Sequence, residues 1–225
     1  TLDSLRKEGY EATLIATGSQ QEYKLGIPGE EAENILSSLS FLGKVNMGES
    51  IRVPSKVAVV GGGNSAIDAA RCALRLGARD VYLVYRRTKD EMPASREEIR
   101  DAETEGVKVI YLAKPLRVQT TSNKVTGLTC VGGYLGTAGK DGRRGHVPID
   151  GMEYTVPAEM IITALGQYPD TTYFKEAGIE VNKDNAIVAD EETGATNIKD
   201  IFAAGDVAGR PASVIEAIAH GKRVA

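Results

Sequence analysis

The chain has 225 residues, of which 42% are hydrophobic and 26% are charged, and its formal net charge is −4. This composition is ordinary for a globular protein, and the small negative charge gives no reason to expect nucleic acid or an anionic membrane as a partner. The sequence shows no bilayer-length apolar stretch and no signal peptide, and its two cysteines, Cys72 and Cys130, are far apart. We therefore expect a cytoplasmic protein with buried, unpaired thiols and no metal site.

The first 50 residues indicate a piece of an α/β domain. Residues 2–9 form a polar segment closed by a glycine, which predicts a short helix. Residues 11–18, EATLIATG, predict a strand. The segment 30–45 carries apolar residues at helical spacing and predicts a second helix (Ile35, Leu36, Leu39 and Leu42).

A strand–helix–strand–helix–strand pattern follows, which predicts a parallel sheet. The short apolar run KVAVV at 56–60 precedes three glycines and a helix that ends near Gly77. The next strand, DVYLVYRR, spans 80–87, and a helix over 94–106 leads to a third strand at 107–112. In that helix the acidic residues are spaced to pair with its own arginines on a solvated face.

The pattern changes after this sheet. Residues 116–160 predict a β-meander, with a Gly-rich, charged hairpin tip at 136–151, before a last strand MIITALG. An amphipathic segment at 171–178, a short hairpin around Asp184 and a strand ending in AAGD come next. A final helix is expected to start near Pro211.

The glycine triplet carries the first chemical signal. Gly61, Gly63 and Ala66 match G-x-G-x-x-A: the first glycine permits a tight turn, the second lets a pyrophosphate approach, and the alanine allows close helix–strand packing. The helix start at Asn64 and Ser65, next to Gly62, offers free N–H groups to phosphates. An ordinary glycine turn is the alternative, but the position between a buried strand and a helix favours a dinucleotide site.

The end of the second strand indicates which nucleotide binds. An NAD site places an acidic residue about 20 residues beyond the glycines, to hold the ribose 2′-hydroxyl. This chain has Arg86 and Arg87 there, and two guanidiniums suit a 2′-phosphate. Asp80 lies at the wrong end of its strand, and Asp90 lies in the following loop. We therefore predict NADP(H), with a merely solvated strand end as the alternative for the arginine pair.

The flanking segments add a resemblance. LIATG, which contains Thr17 and Gly18, and IFAAGD, which contains Gly205 and Asp206, lie on opposite sides of the nucleotide segment. This arrangement resembles the pyridine nucleotide–disulfide reductase-like flavoproteins with two dinucleotide-binding domains, in which the NAD(P) domain is inserted into the FAD domain. The resemblance implies that Asp206 binds the ribityl chain of FAD and that the helix start between Pro211 and Val214 faces the flavin. TALG, ending at Gly166, matches the point where the chain returns to the FAD domain.

Three stretches resemble a narrower group. VAVVGGGNSAIDAARCALRLGA, YRRTKDEMPASREEIRDAETEGV and DIFAAGDVAGRPASVIEAIAHGKRVA are similar to the small (β) subunits of NADPH-dependent glutamate synthases. The resemblance implies hydride transfer from NADPH to FAD and electron transfer through iron–sulfur clusters to a large partner subunit. The Cys-rich iron–sulfur segment and the FAD domain's own G-x-G-x-x-G of that group have no match here, so we expect a fragment that binds FAD weakly or not at all.

The fold class expected is thus α/β: a Rossmann-like NADP-binding domain with a β-meander at 51–166, inserted into a partial FAD-binding domain at 1–50 and 167–225. Hydride transfer between cofactors needs no protein acid or base, so no catalytic side chain is predicted. His146 is expected on a loop tip and His220 on a helix surface. A flavin-free NADP-binding or redox-sensing module, a ferredoxin- or pyrimidine-linked reductase subunit and a homodimer remain open.

Overall fold

A computed structural model of the chain describes residues 1–139, 142–209 and 213–225. Its helices are α1 (Leu2–Lys7), α2 (Ser38–Asn46), α3 (Asn64–Arg75), α4 (Arg96–Glu105), α5 (Thr172–Glu176) and α6 (Val214–Val224). Its strands are β1 (Thr13–Ile15), β2 (Gln21–Glu22), β3 (Ile35–Ser37), β4 (Lys56–Gly61), β5 (Asp80–Val84), β6 (Lys108–Ile110), β7 (Ala113–Thr121), β8 (Lys124–Ala138), β9 (Arg144–Pro157), β10 (Met160–Ala164), β11 (Gln167–Tyr168) and β12 (Ile201–Ala203).

The chain divides into two compact units. One, here called the sheet unit, comprises Lys24–Gly166. The other, the split unit, comprises Thr1–Tyr23 and Gln167–Ala225. The first boundary therefore lies at residue 23 rather than at the expected residue 50, because β3 and α2 pack within the sheet unit: β3 pairs with β10, and Phe41 of α2 is fully buried in the same core as α3.

A five-stranded parallel sheet in the order β3-β10-β4-β5-β6 forms the centre of the sheet unit. The apolar run of β4 explains why this sheet is buried on both faces, because successive side chains of a strand point to opposite sides. Val57 and Val59 pack into the cluster that contains residues of α2, α3 and α4. Ala58 and Val60 pack into a second cluster, with residues of β7, β8 and β9.

The segment expected as one helix over 30–45 is a strand followed by a helix, so that prediction is wrong at its start. Ile35, Leu36 and Ser37 pair in parallel with Ile161, Ile162 and Thr163 of β10. The helix begins only at Ser38, where the Ser37 side chain accepts a hydrogen bond from the Ser40 N–H. Apolar residues at helical spacing could not separate the two, since Ile35 and Leu36 serve equally well in a sheet.

The meander is an antiparallel sheet in the order β7-β8-β9. Its strands are longer than expected, because β8 and β9 continue through most of the segment 136–151 that was expected to be a hairpin tip. Most of β9 is exposed to solvent, which explains its glycines and charges. This extension gives the sheet unit a long β8–β9 hairpin.

The split unit contains the parallel pair β1–β12 and the antiparallel pair β2–β11. Its core is a cluster of buried aliphatic residues (Leu2, Ile15, Ile179, Ile187, Ile201, Ala203 and Val207). The short hairpin expected near Asp184 is present, with Val181 bridged to Ile187 and Asn185 at a φ of 61°. The last helix begins at Val214 after an N-cap at Ser213, and Pro211 lies outside the described residues. Within the described ranges, no helix is long and apolar enough to cross a membrane.

Candidate nucleotide-binding site

The turn between β4 and α3 contains three glycines in three different environments. Gly61 has a φ of 152°, and a Cβ there would lie 2.3 Å from the carbonyl oxygen of Ala164. A Cβ on Gly62 would lie 2.4 Å from the ring of Tyr85. At Gly63 the nearest atom to a Cβ would be Cγ of Pro93, 3.9 Å away. Packing therefore explains the first two glycines, whereas the third leaves open space where a ligand could approach the backbone.

The start of α3 is suited to an anion. Gly63 is its N-cap and supplies no side-chain cap, so the first N–H groups of the helix, at Asn64 and Ser65, are not satisfied by the cap residue. Both residues are exposed, whereas Ala66 is fully buried against the sheet. Asn64 Oδ1 accepts a hydrogen bond from the Ser95 N–H at 3.3 Å, which brings the start of α4 beside the start of α3.

The turn lies where ligands bind in open parallel sheets. From β4 the chain passes to β5 and β6 on one side, and it returns to β10 on the other side of β4. The crevice beyond the carboxyl ends of β4 and β10 is therefore a topological switch point. The glycine turn and Ala164 lie at these ends, and Gly166, with a φ of 100°, follows two residues later.

The loop after β5 packs directly on the glycine turn. The ring of buried Tyr85 covers Gly62, and its hydroxyl donates to the carbonyl oxygen of Glu91 at 2.7 Å. The Ala94 N–H donates to the carbonyl oxygen of Gly62 at 3.2 Å. These contacts hold residues 85–94 beside the turn, so that the arginine pair after Tyr85 begins next to the helix start.

The structure places the two arginines differently. Arg86 is exposed, whereas Arg87 is half-buried and its Nε donates to the carbonyl oxygen of Arg144 at 2.8 Å. The two acidic residues considered for an NAD site pair with other basic side chains: Asp80, at the opposite end of β5, pairs with Lys108 at 2.5 Å, and Asp90 pairs with Arg96 at 3.1 Å. The Lys108 hydrogen bond also lowers the pKa of Asp80. Neither carboxylate occupies the place that an NAD-specific acidic residue would take.

The split unit contains the two flanking segments that resemble FAD-domain motifs, one after β1 and one after β12. β1 and β12 run parallel, so that Thr17 and Gly18 after β1 and Gly205 and Asp206 after β12 follow strands that end on the same side. Ser19 Oγ donates to the main-chain oxygen of Asp206 at 3.4 Å. Val214, the first residue of α6, is 77% exposed. The N-terminus of α6 is capped by Ser213 and Glu216, in a capping box.

Both histidine expectations are wrong. His220 is only 7% exposed, and its Nδ1 accepts a hydrogen bond from the Gly205 N–H at 3.0 Å. Its Nε2 is buried and has no hydrogen-bond partner among the described residues. His220 supports the turn that carries Asp206, a role that helical periodicity could not reveal. His146 lies within β9, with its Nε2 3.0 Å from the carbonyl oxygen of Leu112.

The two cysteines are free thiols in the sheet unit. Cys130 is fully buried and Cys72 is half-buried, and burial raises the pKa of both, that of Cys130 to about 12. In the described part of the chain, no group of three or more potential ligands could hold a metal ion.

Sequence reasoning missed three residues around the arginine pair: Tyr85, Glu91 and Arg144. The side chain of Arg144 pairs with that of Glu91, and Thr88 also donates to Glu91. Arg144 lies 57 residues beyond Arg87 in the sequence, in a segment expected to be a solvated tip. No motif or periodicity links the two, since their contact exists only because β8 and β9 extend so far.

Comparison with known proteins assigns the family. The model of the pyridine nucleotide–disulphide oxidoreductase family matches residues 2–221. The NADP(+)-dependent formate dehydrogenase subunit beta of Moorella thermoacetica is 40% identical over 228 residues, covering 100% of this chain and 32% of that protein. The NADPH-Fe(3+) oxidoreductase subunit beta of Geobacter sulfurreducens is 34% identical over 244 residues (97% of this chain, 36% of that protein). The glutamate synthase [NADPH] small chain of Azospirillum brasilense is 35% identical over 239 residues (100% and 49%).

This chain thus spans about a third to a half of the length of these relatives. Solved structures agree on the fold. A thioredoxin reductase from T. acidophilum has a TM-score of 0.72 at 20% identity, covering 95% of this chain and 63% of that one. A variant of FprA from Mycobacterium tuberculosis has a TM-score of 0.77 at 18% identity, covering 98% and 63%. The expected α/β flavoprotein fold is confirmed, and the chain belongs to the pyridine nucleotide–disulphide oxidoreductase family, flavoproteins that bind FAD and a pyridine nucleotide.

Proposed function

We propose that this chain is the NADPH-binding part of a flavoprotein oxidoreductase that passes electrons to a partner subunit. The carrying observation is the glycine turn at the switch point, with open space at Gly63, an uncapped helix start at Asn64 and an arginine pair one strand away. The nucleotide pyrophosphate would lie on the turn and the start of α3, and the 2′-phosphate would be bound by Arg86 and Arg87.

When bound, NADPH supplies a hydride that FAD accepts, so the protein's contribution is to bind and orient. In the sheet unit, Gly63 and the start of α3 fit the pyrophosphate, because the space that a Cβ would occupy is open. In the split unit, Thr17, Gly18, Gly205 and Asp206 are proposed to bind FAD, with Val214 at the start of the helix facing the flavin.

The proposed acceptor is a further subunit reached through iron–sulfur clusters. The relatives' names span a formate dehydrogenase, an NADPH–Fe(3+) oxidoreductase and a glutamate synthase small chain. Each name describes one subunit or chain of a larger enzyme, which supports a shared electron-entry module. A glutamate synthase large subunit is the proposed partner for glutamate synthesis, and a subunit with another acceptor is the second candidate, because the formate dehydrogenase subunit shares more identity with this chain.

The nucleotide assignment is tested with the double variant Arg86→Ala/Arg87→Ala. Losing both guanidiniums removes charge-assisted hydrogen bonds that NADPH makes and NADH cannot, so we expect NADPH binding to weaken by about 2–3 kcal/mol more than NADH binding. Isothermal titration with each nucleotide measures the difference. An equal loss for both nucleotides would contradict the 2′-phosphate assignment.

Flavin chemistry separates the oxidoreductase from a sensing module. FAD is added in excess to the chain, and NADPH follows under anaerobic conditions. Bleaching of the flavin absorbance supports hydride transfer within this protein. A chain that binds NADPH but never reduces added FAD would instead support a nucleotide-binding or redox-sensing module.

A further inference from the structure

We propose that Arg144, on the β8–β9 hairpin, is a positioning residue that holds Arg87 in place for the 2′-phosphate of NADPH. This inference rests on the proposed nucleotide site and deepens it, by naming a residue that sets the preference for NADPH over NADH. The hairpin belongs to the meander rather than to the nucleotide-binding sheet, so the meander gains a function in specificity.

The first contact is between Arg87 and the main chain of Arg144. Arg87 Nε donates to the Arg144 carbonyl oxygen at 2.8 Å. A guanidinium has five N–H donors in a fixed planar fork, and this bond uses the one on Nε. The four donors on the two Nη atoms are not used by this bond, and they include a pair at the end of the guanidinium that can bind two phosphate oxygens. Fixing Nε therefore fixes the direction of the part of Arg87 that a phosphate would contact.

The second contact anchors Arg144 itself. Its guanidinium pairs with the carboxylate of Glu91, whose side chain is only 18% exposed. Thr88 Oγ1 donates to the same carboxylate, and Tyr85 donates to the Glu91 carbonyl oxygen at 2.7 Å. The Thr88 hydrogen bond, followed by Arg144, lowers the pKa of Glu91, so the carboxylate is charged at neutral pH. Arg144 is thus tied to the same short loop that carries Arg87.

A third set of contacts links the hairpin to the main chain of Arg87 through Leu112, the residue before β7. The Leu112 N–H donates to the Arg87 carbonyl oxygen at 3.1 Å. The Leu112 carbonyl oxygen accepts from the Gly133 N–H at 3.1 Å and lies 3.0 Å from His146 Nε2. Leu112 has a φ of 54°, an uncommon conformation for a residue with this side chain, which the surrounding contacts maintain. The hairpin therefore places the side chain of Arg87 directly, through Arg144, and its main chain indirectly, through Leu112.

These contacts predict a selective effect on the phosphorylated nucleotide. Without the Arg144 side chain, the hairpin loses its ion pair with Glu91. The main-chain carbonyl oxygen of residue 144 is then no longer held in the position that fixes Arg87 Nε. A misdirected Arg87 weakens binding of the 2′-phosphate and leaves the pyrophosphate contacts at the glycine turn unchanged. NADPH binding should therefore fall while NADH binding stays the same.

The experiment measures dissociation constants of NADPH and NADH for the whole chain and its variants. Arg144→Ala and Glu91→Gln are each expected to weaken NADPH binding by about 3–10-fold and to change NADH binding less than twofold. Because both substitutions break the same Arg144–Glu91 ion pair, the double variant should bind NADPH no more weakly than either single variant. Arg144→Lys, which can still pair with Glu91, should recover part of the loss.

The matched control is Arg117→Ala, which removes a different ion pair of the same three-stranded sheet, with Glu153 at 3.3 Å. It should leave both constants unchanged. The proposal is overturned if Arg144→Ala keeps the wild-type ratio of NADPH to NADH affinity, or if it weakens both nucleotides equally, as general destabilisation would. Failure of the proposed function shows itself separately, as a wild-type chain that binds the two nucleotides with the same affinity or binds neither.

Discussion

The glycines of the β4–α3 turn serve different purposes, and substituting each with alanine distinguishes a packing role from a ligand-binding role. A Cβ on Gly62 would lie 2.4 Å from the ring of Tyr85, which is held in turn by its bond to Glu91. Gly62→Ala should therefore lower the free energy of unfolding by about 1–3 kcal/mol, as expected for overpacking. Chemical denaturation of the variant measures this loss.

Gly63→Ala is the complementary substitution, because the nearest atom to its new Cβ is 3.9 Å away and its φ of −88° suits alanine. We expect a smaller stability loss, about 0.5–1 kcal/mol, from exchanging a favourable N-cap residue for a poor one. Binding of NADPH should nevertheless fall at least tenfold, since the methyl group fills the space proposed for the pyrophosphate. Wild-type affinity in this variant would show that the phosphates lie elsewhere.

Single residues also show what a sequence can reveal about a site. Gly61 and Gly63 lie in a pattern whose spacing has a known mechanical basis, and the arginine pair follows at a distance that the fold dictates. His220 has no such pattern. Its role depends on the Gly205 N–H, 15 residues earlier in the chain, meeting its ring in the folded state. The sequence alone therefore predicted a surface position for His220, because it does not show which backbone group the ring meets in the folded state.

At the level of elements, α3 and α4 are joined by a charge cluster with a clear pH signature. Glu105 of α4 accepts hydrogen bonds from Arg71 Nε at 2.9 Å and from Arg75 at 2.7 Å, both on α3. These arginines, Arg71 first, lower the pKa of Glu105 from 4.5 to about 2. A lowered pKa in the folded state means that this carboxylate stabilises the fold above pH 4.5 and that the contribution disappears as the pH falls towards 2.

Glu105→Gln tests this linkage. Above about pH 5 the variant should be less stable than wild type by a constant amount, and the gap should close between pH 4.5 and 2. Urea denaturation over that range measures it, and high salt should narrow the gap, because the pair is near the surface. The control is Glu153→Gln, which removes an exposed ion pair with Arg117 in the three-stranded sheet. A gap for Glu105→Gln that persists at pH 2 would mean that packing, rather than charge, joins the helices.

Elements also differ in how far the sequence predicts them. β4 and β5 are continuous apolar runs between turn residues, a pattern that is typical of buried parallel strands. Helix α4 ends where its glycine predicted, at Gly106, which has a φ of 108°. β3 was mistaken for helix because its three residues gain their structure from pairing with β10, far along the chain. The acidic face of α4 was expected to pair within the helix, but Glu105 pairs with α3, since tertiary contacts outweigh local spacing.

At the scale of the whole molecule, the two proposed cofactor sites belong to different compact units. The arginine pair and the glycine turn lie in the sheet unit, whereas Asp206 lies in the split unit, in a short 3₁₀ turn after β12. Sites that share no residue and no interaction partner usually respond independently to substitution. The two sites should therefore be separable by mutation, even if hydride transfer requires both.

A crossed pair of variants tests this separation. Asp206→Ala removes the carboxylate proposed to accept hydrogen bonds from the flavin's ribityl hydroxyls, so FAD affinity should fall about 10–100-fold while NADPH affinity is unchanged. Arg87→Ala should do the reverse. Titration of each variant with each cofactor gives the four constants, and anaerobic reduction of added FAD by NADPH should be impaired in both variants. If Asp206→Ala retains wild-type FAD affinity, the carboxylate does not contact the flavin, and the proposed FAD site must be moved away from the end of β12.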